Sequence, residues 1–138
     1  NFAQKQIIST KKLLKYLIRK YKINFNNILG HSDIAPDRKK DPGEKFPWKE
    51  LSKYKLAKWH NLDEKKLKRK RLILLNFYEE SIFLNNLKKI GYPKIAQKKN
   101  DIKKKFIIEA FQRRFRPKLI NGSPDQECLI ITNNLIKS

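Results

Sequence analysis

Apolar residues at positions 7, 14, 17, 18 and 21 recur at the spacing of one helix face, with Lys and Arg between them. They predict an amphipathic helix over 3–21. A short apolar run at 27–30, Asn-Ile-Leu-Gly, reads as a strand. The segment from His31 to Pro47 contains Pro36, Pro42, Gly43 and Pro47, so it cannot be helical throughout. Residues 48–54 suit a short helix after Pro47. Residues 57–71 read as a linker, and its charge run at 63–71 as a solvated segment. Three further helical patterns follow. The first spans 72–90 and is stopped by Gly91. The second spans 101–115, with Asp101 as N-cap, and stops before Pro117. The third spans 124–137, with Ser123 as N-cap and Pro124 in the first helical position. Phe106, Ile107, Ala110, Phe111 and Leu135 are the inward set of this three-helix unit.

Composition changes the picture in four ways. The chain has 138 residues, 39% of them hydrophobic, and no apolar run approaches the ~18 residues of a membrane span. The formal charge is +21. A polyanion partner would explain that charge. Compositional bias explains it better: Lys far outnumbers Arg, Ile and Asn are also abundant, and no zinc-finger, basic-zipper or RNA-recognition pattern is present. A single cysteine, Cys128, excludes an internal disulfide and a multi-cysteine zinc site. Absence of methionine, with Asn at position 1, suggests a processed chain or a piece of something longer.

Candidate chemistry concentrates in one loop. His31 and Asp41 are nitrogen and oxygen donors of the kind zinc takes. They stand ten residues apart, so the loop must fold back to join them. Spacing alone also allows a hydrogen-bonded structural pair. The second histidine, His60, falls in polar surroundings and reads as solvated. Ser32 and Asp33 suit a turn. Cys128 reads as buried packing, and Phe111 and Phe115 as core. Arg113, Arg114 and Arg116 read as surface residues able to meet peptide carboxylates.

The stretch ILGHSDIAPDRKKDPGEKFPW, residues 28–48, resembles the active-site segment of the bacterial zinc N-acetylmuramoyl-L-alanine amidases, the amidase-2 family, related to the peptidoglycan recognition proteins. The resemblance rests on Gly30-His31, on 33–36, on Arg38-Lys39, on 41–43 and on 46–48. Residues 107–125 and 87–93 resemble the three-helix peptidoglycan-binding module that follows this catalytic domain. The resemblance implies an α+β family fold, represented here by its mostly α C-terminal part: one helix, a short strand and the active-site loop. The implied division is 1–56 as catalytic part, 57–71 as linker and 72–138 as the binding module.

By position, the resemblance makes His31 and Asp41 zinc ligands and Lys39 a catalytic residue near the substrate carbonyl, with Lys40 turned to solvent. Zinc is the implied cofactor, and peptidoglycan or muropeptides are the implied partners. Membrane association would come only through an upstream anchor, and no specific nucleic acid is expected. The implied location is the bacterial cell envelope, periplasmic or at the outer membrane, with the cytoplasm as the alternative. Nothing before His31 supplies the family's first zinc histidine, and the general-base glutamate is likewise missing. The chain is therefore expected to be an amidase part that is inactive alone. A non-catalytic peptidoglycan-binding remnant is the alternative, and a basic nucleic-acid-binding protein the weaker one.

Overall fold

The computed structural model describes residues 2–93 and 102–137. Among these residues seven α-helices form in chain order: α1 Gln4–Tyr21, α2 His31–Ile34, α3 Trp48–Ser52, α4 Glu64–Lys68, α5 Phe77–Ile90, α6 Ile102–Phe115 and α7 Gln126–Leu135. A single turn of 3-10 helix, Phe25–Asn27, precedes α2. The expected N-cap at Asp101 lies outside the described residues.

Helix α1 follows the predicted pattern. Arg19 and Lys20 occupy its last turn, where cations suit the helix dipole. Lys22, in the left-handed conformation, ends it. Ile7, Leu14, Leu17 and Ile18 are half-buried, and Leu14 and Ile18 pack on a small core of Trp48, Leu51, Leu56 and Ala57. Lys11 fixes the helix to α3 through Glu50 at 3.0 Å.

The larger core brings α5, α6 and α7 together around Phe83, Leu87, Ile108, Phe111, Ile131 and Leu135. Ile107 and Ala110 are buried as expected, while Phe106 is half-buried. Helix α5 ends at Gly91, whose φ of 118° only glycine takes readily. Its N–H then bonds back to Leu87 O at 3.2 Å.

Six expectations need correction. The run 27–30 is not a strand. A strand needs a neighbour to pair with, and among the described residues there is only an isolated bridge, Leu74 to Asp125. The carbonyl of Ile28 instead accepts from Arg114 Nη2 at 2.9 Å.

The charge run at 63–71 is not simply solvated. Asp63 caps α4, which buries Leu67 in the larger core, and Trp59 packs against both cores. His60, expected in solvent, is buried beside it.

Helix α5 begins at residue 77 rather than 72. Asn76 and Glu79 form a reciprocal capping box at 2.9 Å each way, which sets the start there. Residues 71–73 are tied to the start of α7: Arg71 grips Glu127 with two bonds, and Ile73 O accepts from Gln126 N at 2.9 Å.

Helix α7 is capped by Asp125, which accepts from Cys128 N at 3.0 Å, not by Ser123. Finally, Arg113, Arg114 and Arg116 are not surface residues: they are 7%, 3% and 2% exposed. The reading of Cys128 as packing holds: it is fully buried, and burial pushes its thiol up to about 12.

Candidate functional site

The loop between α2 and α3 is built from short-range bonds. Gly30 caps α2, and its N–H donates to Asp33 Oδ2 at 2.9 Å. A Cβ on Gly30 would lie 2.6 Å from Pro42 Cδ and 3.3 Å from Trp48 Cζ2, so the returning loop can close here only over a glycine. Ser32 N donates to Asp41 O at 3.0 Å, and Lys39 N to Ala35 O at 2.9 Å. These bonds carry the chain from His31 out and back, so that Asp41 arrives beside it.

His31 Nδ1 lies 2.5 Å from Asp41 Oδ2, and the two side chains are 69% and 59% exposed. The sequence-derived pair is thus brought together and left open to solvent. The bond from His31 holds the Asp41 carboxyl below its ordinary pKa, helped by the nearby charge of Lys39. Lys39 is exposed on the loop. Lys40 borders the same cleft as Lys39 and Asp41, so the two lysines are less distinct than expected. His60, buried elsewhere, does not join the pair. Burial lowers its pKa, and its Nδ1 has no hydrogen-bond partner among the described residues.

The donors suit zinc in kind: an imidazole nitrogen and an ionised carboxylate, adjacent and reachable from solvent. In number they are two, and among the described residues no cluster of three or more His, Cys, Asp or Glu could hold a metal ion. A catalytic zinc typically has three protein ligands.

Sequence reasoning missed what holds the loop from behind. Asp33 is buried and meets two residues far along the chain. Tyr92 donates its hydroxyl to Asp33 Oδ1 at 2.7 Å, and Arg114 pairs with Asp33 Oδ2 through Nη1. The Arg114 guanidinium also lies over the Trp48 ring, 4.2 Å from its centroid. No local pattern could show contacts 59 and 81 residues apart. The one signal was an acid two residues from a candidate ligand.

Two cavities flank this framework. One, about 420 Å³, lies between residues 36–41 and Phe106, Glu109 and Arg113, beside Asp41. The other, about 400 Å³, is walled by Trp48, Trp59, His60 and Phe115 and does not include the His31–Asp41 pair. Of the two, only the first borders a member of that pair, Asp41.

A short helix presenting a histidine, and a loop returning an aspartate to it, occur within a stretch that a known family describes. Residues 1–44 match the model of the N-acetylmuramoyl-L-alanine amidase family. Over 146 aligned residues the chain is 31% identical to N-acetylmuramoyl-L-alanine amidase AmiD of Escherichia coli K12, covering 99% of this chain and 49% of that protein. It is 59% identical over 32 residues to the 1,6-anhydro-N-acetylmuramyl-L-alanine amidase AmpD of Enterobacter cloacae, covering 23% of this chain and 17% of that one.

Solved structures agree with these matches. AmiD from E. coli, in complex with the substrate anhydro-N-acetylmuramic acid-L-Ala-D-gamma-Glu-L-Lys, aligns at TM-score 0.81 and 32% identity, over 99% of this chain and 52% of that one. AmpDh3 from Pseudomonas aeruginosa, in complex with anhydromuramic pentapeptide, aligns at 0.79 and 30%, over 99% and 54%. The chain spans about half the length of AmiD and of AmpDh3.

Proposed function

We propose that this chain serves an N-acetylmuramoyl-L-alanine amidase: zinc-dependent hydrolysis of the amide between the muramoyl lactyl group and L-alanine. The observation that carries the reading is the His31–Asp41 pair, exposed and in contact at 2.5 Å, inside the segment that matches the amidase model. His31 and Asp41 would hold the metal. Zinc bound there would lower the pKa of its water toward ~7 and polarise the amide oxygen. Lys39, whose charge already reaches Asp41, would stabilise the oxyanion that develops on that oxygen. Residues 72–138 would add affinity for peptidoglycan, and a peptidoglycan substrate goes with the bacterial cell envelope.

Two donors favour weak metal binding, and this keeps a second reading in view: a peptidoglycan-binding protein that does not turn over. One experiment separates them. Binding of a muramoyl peptide to the chain is measured by calorimetry with and without zinc, alongside His31→Ala, and free peptide is assayed in the same samples. Zinc-dependent binding that His31→Ala removes supports the amidase reading. Binding indifferent to both zinc and His31→Ala replaces it with the second. Turnover by these residues alone is expected to be undetectable. Chelator-sensitive release of peptide would mean that a further ligand completes the site.

A further inference from the structure

Most of the large apolar side chains that the fold leaves exposed stand singly along the chain, which is ordinary for a protein surface. Leu72, Ile73 and Leu74 do not. They are consecutive and 67%, 46% and 79% exposed, and Tyr78 joins them from the first turn of α5. Their display is fixed by the backbone. Arg71 is clamped by Glu127, Leu72 N donates to Asp125 Oδ2 at 3.1 Å, and Gln126 N donates to Ile73 O at 2.9 Å. Leu72 takes a φ of 64°, in the left-handed region that is unfavourable for leucine. A strained residue held by its surroundings, with its apolar side chain turned out, marks a surface built for a contact.

The charge beside the run indicates the occupant. Lys65, Lys66, Lys68, Arg69 and Lys70 are exposed and directly precede it. The neighbouring acids are already engaged. Asp63 caps α4, Glu64 pairs with Lys49 at 2.7 Å, Glu79 closes the cap of α5, and Glu80 pairs with Lys104. An anionic lipid surface offers both counterparts, headgroup phosphates for the cations and acyl chains for the aliphatics. A nucleic acid would meet the cations but would leave Leu72, Ile73 and Leu74 without a base to bond or an aromatic face to offer it. A fixed acidic protein face is matched best by arginine forks, whereas four of these five cations are lysines, point charges that suit mobile headgroups. So short an apolar run lies on a bilayer rather than across it.

We propose that residues 65–78 form a contact for an anionic lipid surface, with Leu72, Ile73, Leu74 and Tyr78 in its headgroup–acyl boundary and the preceding cations on its phosphates. The sequence suggested membrane association only through an upstream anchor, whereas this contact belongs to the chain itself. It does not depend on the amidase reading.

The test is co-sedimentation of the full chain with vesicles of phosphatidylglycerol mixed into phosphatidylcholine. A chain of charge +21 adheres to such vesicles by charge alone, so the comparison is among variants. Leu72→Asn with Leu74→Ser removes two aliphatics at exposed positions, and asparagine accepts the left-handed φ. It should weaken partitioning by ~10-fold or more. Leu74→Ser alone serves if the double variant does not fold. Lys68→Gln with Lys70→Gln should weaken partitioning by ~10-fold as well. Lys5→Gln with Lys12→Gln, exposed on α1, removes the same charge and should cost less than ~2-fold. Partitioning unchanged by the leucine substitutions, or lowered equally by the two lysine pairs, overturns the proposal. A dimer in sedimentation velocity that the leucine substitutions dissolve overturns it by assigning the run to a second copy. Binding of duplex DNA or polyglutamate that weakens with those substitutions as much as vesicle binding does assigns the run to a polyanion without acyl chains, and overturns it too.

Discussion

The imidazole of His60 stacks on the Trp59 indole, with ring centroids 5.0 Å apart, and is covered by the chain around it. Burial holds its pKa below the ordinary value, against the weaker pull of Glu64, so the fold keeps it neutral. Above the unfolded value of ~6.5 it is neutral in both states and does not affect stability. As pH falls below that point the unfolded chain takes up the proton first. Stability then drops by at most ~1.4 kcal/mol per pH unit until the folded pKa is passed. Melting temperatures of wild type and His60→Gln, compared at pH 7.5 and 5, check this. The wild type should lose more between the two, and an unchanged gap would mean that His60 does not titrate with folding. Nothing in the local sequence betrayed this burial. Asn61, Asp63 and Glu64 surround His60 in a segment that reads as solvated, and only the packing of Trp59 on both cores draws it inward.

Elements in this chain start and stop where side chains satisfy backbone ends, and α7 shows how much can rest on one cap. Asp125 accepts from Cys128 N with one oxygen, and with the other from Leu72 N at 3.1 Å and Arg116 Nη1 at 3.2 Å. Asp125→Ala removes the cap and leaves Arg116 with the longer ion pair to Glu127 and a bond to Asn121 Oδ1 at 3.4 Å, so a loss of ~3–5 kcal/mol is expected. Asp125→Asn keeps an acceptor for the cap and should recover about 1 kcal/mol of that. Urea denaturation measures both. The helices themselves were legible. Apolar spacing placed α1, α5, α6 and α7, and Gly91 marked the end of α5. The N-terminal limits of α5 and α7 were not: α5 starts at the capping box of Asn76 and Glu79, and α7 at Asp125, two residues beyond the expected Ser123. The choice between Ser123 and Asp125 depends on Leu72 and Arg116, which no window of sequence brings together. The His31–Asp41 pair was legible for the opposite reason: its closure depends on bonds within residues 30–43.

At the scale of the molecule, the candidate site and the larger core are joined through Asp33. Arg114→Ala would leave that carboxylate buried with only Tyr92 as a side-chain partner, so unfolding should become easier by ~3–5 kcal/mol. Combining it with Asp33→Ala should recover part of the loss, since the second change removes the stranded charge. Additive losses in a denaturant series would show that the two residues are not coupled. The same contact bears on how such chains can be recombined. The face that carries His31 and Asp41 is braced by a tyrosine and an arginine encoded 59 and 81 residues downstream of Asp33. A hybrid joining residues 1–71 to a foreign helical unit would inherit the ligands and lose their support, unless the newcomer presents a hydroxyl and a guanidinium at the same two places. In hereditary terms, these three positions form one unit of exchange spread over two stretches of the gene.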